Sequence, residues 1–265
     1  MSFGDEVMAA GCAAEEARRV GGRVAILDKN RNPRWSEVWE NNPDIATIDQ
    51  WRRDQAMGHI VNGPGCRPYI TAWQRGPDML KCVFSFWRAR DHRGRIFLSS
   101  AEEGAGRAAV SKHGGFVVIE PNLARISNPN KQWPRERYQA LVDELRDVEF
   151  VQLGPAGTEL LHGVMHIETP TFRAACAVLS AAAAYVGPEG GLHHAAAALG
   201  VRAVVIFGGH TDPETTGYPE HINLRGKQNR PACGNWKPCA HCAEAMDSIS
   251  VSDVSDALSI PGASR

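Results

Sequence analysis

Lys131 lies in EPNLARISNPNKQWPRERY, a polar loop that leaves one apolar run and enters a helical one. An ammonium delivered beside the unpaired amides of a helix start suits a phosphate oxygen. The alternative there is a surface lysine, with Trp133 packed on the helix. In YVGPEGGLHHAAAALG, Gly190 and Gly191 let the backbone come close to a ligand, and the following helix start offers free N–H groups. Glu189 at the same turn can accept from ribose or sugar hydroxyls. His193 and His194 point about 100° apart on a helix, so one of them faces a cleft. The alternative is a capped, buried helix with a satisfied histidine. In GGHTDPETTGYPEH, Gly208 and Gly209 permit close approach, while Thr211, Thr215 and Thr216 can donate to phosphate; a plain polar loop reads the same way. Gly4-Asp5 opens an alanine-rich stretch. A carboxylate near a helix N-terminus is stabilised as the anion, yet it can take a proton from a hydroxyl that bond formation acidifies. By itself Asp5 reads as a capping residue. Cys233, Cys239 and Cys242 lie in CGNWKPCAHC around His241. Their spacing is not that of paired zinc knuckles, so reduced cysteines beneath a loop are the first reading and zinc the alternative.

These residues need elements to hold them. The segment after Gly4-Asp5 has a helical stripe (Val7, Met8, Cys12, Ala13, Ala17) that Gly21-Gly22 ends, and residues 23–28 read as a short buried strand. Ser36 is placed to cap a short helix ending near Asn41, IATI (45–48) reads as a second strand, and NGPGCRP (62–68) as a turn. Residues 57–95 are hard to read. FWRARDHRGR carries four arginines against one aspartate, the composition of a site rim or a solvated face, and RIFLSS from Arg95 is a further strand candidate. AEEGAGRAAVSKHGG then separates the halves. Beyond it the rhythm is regular: strand FVVIEPN, helix 134–148, strand FVQLGP, a helix capped by Thr169 or Thr171, strand AYVGP, helix GGLHHAAAALG, strand VRAVVIFGG. Alternation of this kind predicts a parallel sheet covered on both faces, with ligands at the carboxyl ends of its strands. The loop-rich tail ends in a helix over SISVSDVSDALS and a loose PGASR.

The 265 residues carry 29 Lys plus Arg against 30 Asp plus Glu, and 43% are hydrophobic. That composition is globular, and its charge balance argues against a nucleic-acid partner. No run approaches the 18 or so apolar residues of a spanning helix, and the first residues lack the order of a signal peptide. Seven cysteines without a framework spacing fit a reducing cytoplasm. The arginines near 88–95 allow transient membrane contact; the oligomeric state is not legible. No Walker loop, HExxH helix or G-x-S-x-G elbow occurs, and no DxD-type pair follows a strand to hold a cation on a diphosphate.

In order along the chain, GDEVMAAG, NKQWPRERYQALVDEL, YVGPEGGLHHAAAALGVRAVVIFG, DPETTGYP and CGNWKPCAHCAEAMDSISVSDV resemble segments of the glycosyltransferase family that contains the ADP-heptose:lipopolysaccharide heptosyltransferases, densely from about 115 to 255. The resemblance implies an α/β fold of two Rossmann-like domains in a GT-B arrangement. These would be a reduced acceptor-side domain over 1–112 and a nucleotide-sugar domain with its Cys-containing tail over 113–265. It implies inverting, metal-independent transfer of a sugar from a nucleotide-diphosphate sugar to a hydroxyl-bearing glycan or small molecule, with no cofactor. Asp5 matches the base, Lys131 the lysine that steadies the leaving diphosphate, Glu189, Gly190 and Gly191 the donor-binding turn, and His194 the helix histidine. Glu189 stands where the family usually has Asp, and only Met1, Ser2 and Phe3 precede the Gly-Asp pair, where the family has a strand. A hydrolase or epimerase of the same fold and a non-catalytic nucleotide- or glycan-binding protein are the competing readings.

Overall fold

A computed structural model describes residues 2–62, 67–77, 79–112, 114–121, 128–227 and 231–259. The turn core at 63–66, the stretch 122–127 of the polar loop and the tail from 260 lie outside these. In chain order the elements are α1 (Phe3–Val20), β1 (Ala25–Leu27), α2 (Ile48–Arg53), β2 (His59–Val61), β3 (Ile70–Gly76), β4 (Met79–Phe84), α3 (Ser100–Ala109), β5 (Phe116–Ile119), α4 (Arg135–Glu144), β6 (Glu149–Gly154), β7 (Met165–Glu168), α5 (Phe172–Leu179), β8 (Ala184–Pro188), α6 (Gly191–Leu199), β9 (Ala203–Phe207), α7 (Pro213–Thr216), β10 (Ile222–Arg225), α8 (Ala240–Asp247) and α9 (Val251–Leu258). They build two α/β lobes. The first has a small parallel sheet, β1 beside β2, and an antiparallel hairpin, β3 with β4. The second has a six-stranded parallel sheet in the order β10-β9-β8-β5-β6-β7.

That order creates a switch point. From β5 the chain moves to β6 and β7 on one side, then crosses back to lay β8 on the other side of β5. The connections leaving β5 and β8 therefore diverge, opening a crevice at their carboxyl ends. Lys131 follows β5 and Glu189 follows β8. The central strands β5, β8 and β9 are buried along their whole length, as expected for apolar runs covered on both faces. One apolar cluster runs through both lobes, with Val7, Ala10, Ile26 and Trp39 joining Val118, Tyr185, Ala196 and Phe207. A second cluster, on the other face of the large sheet, includes Trp133, Tyr138, Leu141 and Val254.

Three expectations fail locally. IATI is not a strand: Thr47 caps α2 in a reciprocal box with Gln50, and the partner of β1 is β2. RIFLSS from Arg95 joins no ladder, because Ser99 and Glu102 form the same kind of box and start α3. AEEGAGRAAVSKHGG is thus largely helix rather than a separator. By contrast, α1 ends at Gly21 in the left-handed conformation, and Thr171 is the cap of α5, its Oγ1 accepting from Ala174 N–H.

Helix packing positions Gly4-Asp5. A Cβ on Gly4 would lie 2.9 Å from Cδ2 of His194 and 3.5 Å from Cα of Gly191, so the start of α1 can rest directly on the start of α6 only because residue 4 is glycine. Phe3 stacks on Phe172 beside this contact, 4.4 Å between ring centres. Two lobes of unequal size thus meet through their helix N-termini.

Candidate active site

The crevice at the switch point is a cavity of about 280 Å³ lined by residues that include Gly4, Asp5, Arg67, Tyr69, Asn128, Lys131, Glu189, Gly190, Gly191, His194 and Trp236. Lys131 ends a 3₁₀ turn (Pro129–Lys131) that Asn128 caps. Its Nζ is ion-paired with Glu189 Oε2, and Glu189 Oε1 is 3.4 Å from His194 Nε2. The other ring nitrogen of His194 hydrogen-bonds Tyr218 Oη at 2.9 Å. The Glu189 side chain is only 3% exposed. Burial alone would raise its pKa, but the Lys131 ammonium and the His194 bond outweigh that and hold the carboxyl well below its usual range. The result is a line Lys131–Glu189–His194–Tyr218 that fixes an anion beneath the first amides of α6.

Asp5 faces this line from α1. Burial raises its pKa, with Arg67, Lys131 and His194 pulling the other way. Arg67 Nη2 is 3.5 Å from its Oδ2, and that oxygen accepts no hydrogen bond among the described residues. A buried carboxylate of raised basicity with an unused oxygen is equipped to receive a proton. The Arg67 guanidinium lies over the Trp236 ring, 4.8 Å from its centre, which closes that side of the cavity with a cation on an aromatic face.

Asp5, Lys131, Glu189, Gly190, Gly191 and His194 are thus gathered in one place. His193 does not line the cavity: it is fully buried among Phe207, Tyr218 and His221, and burial holds its pKa well below the usual value. Gly208, Gly209 and Thr211 do not line the cavity. A Cβ on Gly208 would strike the Met246 side chain, Gly209 O accepts from Cys233 N–H at 2.8 Å, and the Thr211 hydroxyl is buried without a hydrogen-bond partner among the described residues. Those glycines serve packing against α8 and the tail loop. Trp133 is wholly buried, its Nε1 donating to Ile249 O at 3.0 Å and its ring set against Tyr138, so it packs on α4.

Sequence reasoning missed Ser2, Met8, Arg67, Tyr69, Asn128 and Trp236 on the cavity wall. Arg67 and Tyr69 belong to the stretch with no readable periodicity, and Trp236 was hidden among the cysteines. For Asn128 a signal existed: an Asn two residues ahead of another Asn, just after a strand, is a turn-capping pattern.

The expectation of a chain without metal or cofactor does not stand. Among the described residues, two groups of three side chains bring ligand atoms within 4.8 Å of one another: Cys233, Cys239 and Cys242, and Glu189, His193 and His194. The second group would offer a cation a carboxylate that already holds the Lys131 ammonium, so a metal there must compete with that lysine. The first has no such competitor. Cys233 Sγ is 3.2 Å from Cys242 Sγ and 3.8 Å from Cys239 Sγ, and His241 is outside the group. Hydrogen bonding from Cys242 lowers the Cys233 thiol to about 5, and the bond to Cys233 raises that of Cys242. Reduced cysteines beneath a loop, the first reading of the sequence, therefore understate what this cluster can bind.

Residues 167–249 match the model of glycosyltransferase family 9 (heptosyltransferase). Among curated proteins none matches the chain. Among solved structures the chain is similar to the glycosyl transferase family 9 protein from Veillonella parvula DSM 2008, at 16% identity and TM-score 0.65, over 97% of this chain and 93% of that one. It is similar to E. coli heptosyltransferase WaaC with ADP, at 12% identity and TM-score 0.53, over 97% and 96%. It also aligns with the iron-containing dodecameric glycosyltransferase TibC from enterotoxigenic E. coli H10407, at 16% identity and TM-score 0.43, over 54% and 45%. The chain spans about half the length of several heptosyltransferases that it matches. No helix of the described residues is long and apolar enough to cross a membrane.

Proposed function

We propose, from the premise that this is a glycosyltransferase-family-9-like protein of GT-B architecture, that it transfers a sugar from a nucleotide-sugar donor to a hydroxyl acceptor in the crevice between its lobes. One observation carries the reading. A buried carboxylate (Asp5) from one lobe faces an ammonium (Lys131) and a helix start (Gly191) from the other across a single cavity.

In this reading the donor diphosphate lies between Lys131 Nζ and the first amides of α6. As the bond between the anomeric carbon and the diphosphate oxygen breaks, charge builds on that oxygen, and the ammonium and helix amides stabilise it without having to reorganise. The acceptor hydroxyl attacks the same carbon, and its proton passes to Oδ2 of Asp5, the oxygen that lies beside Arg67. Burial makes Asp5 a stronger base than an exposed aspartate, and the Arg67 guanidinium beside it opposes that rise. Glu189 keeps Lys131 in place before the donor binds and can then accept from a donor hydroxyl. His194, held by Tyr218, fixes the rotamer of Glu189. We assign the donor to residues 113–265 and the acceptor to residues 1–112, because the large sheet supplies the anion-binding end and α1 supplies the base. Free cysteines in both halves fit a cytoplasmic setting, where thiols stay reduced.

Calorimetry against ADP-, GDP-, UDP-, CMP- and dTDP-sugars tests the proposal. We expect one nucleotide class to bind, with affinity falling at least tenfold in Lys131→Met, about 1.4 kcal/mol or more for the lost charge pairing. Equal affinity of the variant for the preferred donor would sink the reading.

A further inference from the structure

We propose, resting on the glycosyltransferase reading, that Glu189 disfavours the free nucleoside diphosphate left after transfer more than the sugar-bearing donor, so that the site expels its product. The cavity is balanced in charge. Among the described residues its wall carries two cations and two carboxylates, and each cation already faces a carboxylate. Arg67 Nη2 lies 3.5 Å from Asp5 Oδ2, and Lys131 Nζ is ion-paired with Glu189 Oε2. An entering phosphate therefore shares the Lys131 ammonium with an anion that is already in place. The Lys131 side chain is 17% exposed and that of Glu189 3%, so a ligand reaches the ammonium more readily than the carboxylate.

That carboxylate is held from every side. Lys131 takes Oε2, and Oε1 lies 3.4 Å from His194 Nε2. His194 is fixed in turn by Tyr218, whose ring has the Arg93 guanidinium over it, 5.7 Å from its centre. Glu189 follows directly on β8, and its own N–H donates to Ile206 O of β9 at 3.4 Å. It stays where it is when a nucleotide enters, and its charge then tells the two nucleotides apart. In the donor the terminal phosphate is a diester with one negative charge. When the bond to the anomeric carbon breaks, the phosphate oxygen keeps the electron pair and the acceptor proton goes to Asp5. The terminal phosphate is then a monoester, with about two charges above pH 7. At an effective dielectric of about 20, one unit charge within about 10 Å of another shifts an equilibrium at least tenfold. The product feels that extra repulsion from Glu189 and the donor does not, whereas a glutamine keeps the side chain's size and removes the charge.

Calorimetry on the full chain tests this, in EDTA so that no divalent cation neutralises the phosphates. The probes are ADP, GDP, UDP, CDP and dTDP, each beside its β-methyl ester, which carries the capped phosphate of a donor without the sugar. At pH 8 we expect the wild type to bind the ester of its preferred nucleotide at least as tightly as the free diphosphate. In Glu189→Gln the free diphosphate should gain at least tenfold on the ester. A smaller gain would overturn the proposal, as would a wild type that prefers the free diphosphate at pH 8. A Glu189 that only held the fold together would weaken both probes alike and leave their ratio unmoved. If the variant fails to unfold cooperatively, the wild type decides alone. Its free diphosphate should gain on the ester as pH falls to about 5.5 and the terminal phosphate loses its second charge; a constant ratio or the opposite trend would overturn the proposal. Binding with an unaltered ratio sinks this inference and leaves the glycosyltransferase reading standing, whereas no binding of either form of any nucleotide would bring down both.

Discussion

Asp5 shows how a single group can be stabilised for chemistry and costly for the fold. Its pKa is raised because burial disfavours the charged form more than Arg67, Lys131 and His194 favour it. A group of this kind binds its proton more tightly in the folded chain than in the unfolded one, so the stability it brings is complete in acid and is lost as pH rises through its folded pKa. Asp5→Asn has no such loss. We expect its Tm to exceed that of the wild type at pH 8 and the gap to close below about pH 4, while turnover falls about 10²- to 10⁴-fold through loss of the base. Scanning calorimetry across pH, beside initial rates, reads both. A variant that was less stable at pH 8 would mean that the Arg67 pairing outweighs burial. Glu189 is the opposite case, a buried carboxylate that Lys131 and His194 keep ionised against burial.

Among the elements, α1 and α5 are held by contacts whose removal has a calculable sign. A Cβ on Gly11 would sit 1.7 Å from His92 O, so α1 and the segment 89–94 touch backbone to backbone. Alanine is the better helix former by about 1 kcal/mol, but a clash with a carbonyl oxygen that cannot rotate away costs more. Gly11→Ala should therefore destabilise, measured as a lower urea midpoint; an unchanged or higher midpoint would contradict the close approach. Arg173 on α5 is buried and donates to both oxygens of Glu102 at 2.6 and 2.7 Å, and also to Phe97 O and Glu37 O. It joins three elements through one guanidinium. Arg173→Ala removes these bonds from partly exposed acceptors, of which Glu102 keeps its Ser99 bonds, and should cost about 2 kcal/mol. The same bonds lower Glu102 to about 2. Its contribution is therefore present above the ordinary glutamate range and lost as pH falls towards 2, and Arg173→Ala should flatten the acid limb of a stability–pH curve.

At the scale of the whole molecule, the two lobes share one core. Val7, Ile26 and Trp39 belong to the same apolar cluster as Val118, Tyr185 and Phe207, and α1 rests on α6 through Gly4. A small two-stranded sheet could not bury enough apolar surface to stand alone. We expect a single calorimetric transition with coincident fluorescence and far-ultraviolet signals; two resolved transitions would show that the lobes fold independently.

The second half of the chain was readable because its strands are buried on both faces and so are continuously apolar, and its helices carry local caps and stripes. That is why β5, β6, β8 and β9 and the helices between them were legible, along with Lys131, Glu189 and His194 at their ends. The first half was less so. Two capping boxes read as strand or linker, and in the hairpin β3–β4 the strand β3 is mostly exposed, with no apolar alternation to reveal it. What only tertiary structure decided is which chemistry-bearing residues meet. Strand order puts the ends of β5 and β8 side by side, so Lys131 reaches Glu189 across 58 positions of chain. The packing of α1 on α6 brings Asp5 to them, while Gly208, Gly209 and Thr211 lie off the cavity wall. Residue type and spacing constrain local conformation, because that is set by neighbours a few positions away. Proximity between distant residues is set by how buried faces find one another, and that information is spread over the whole chain.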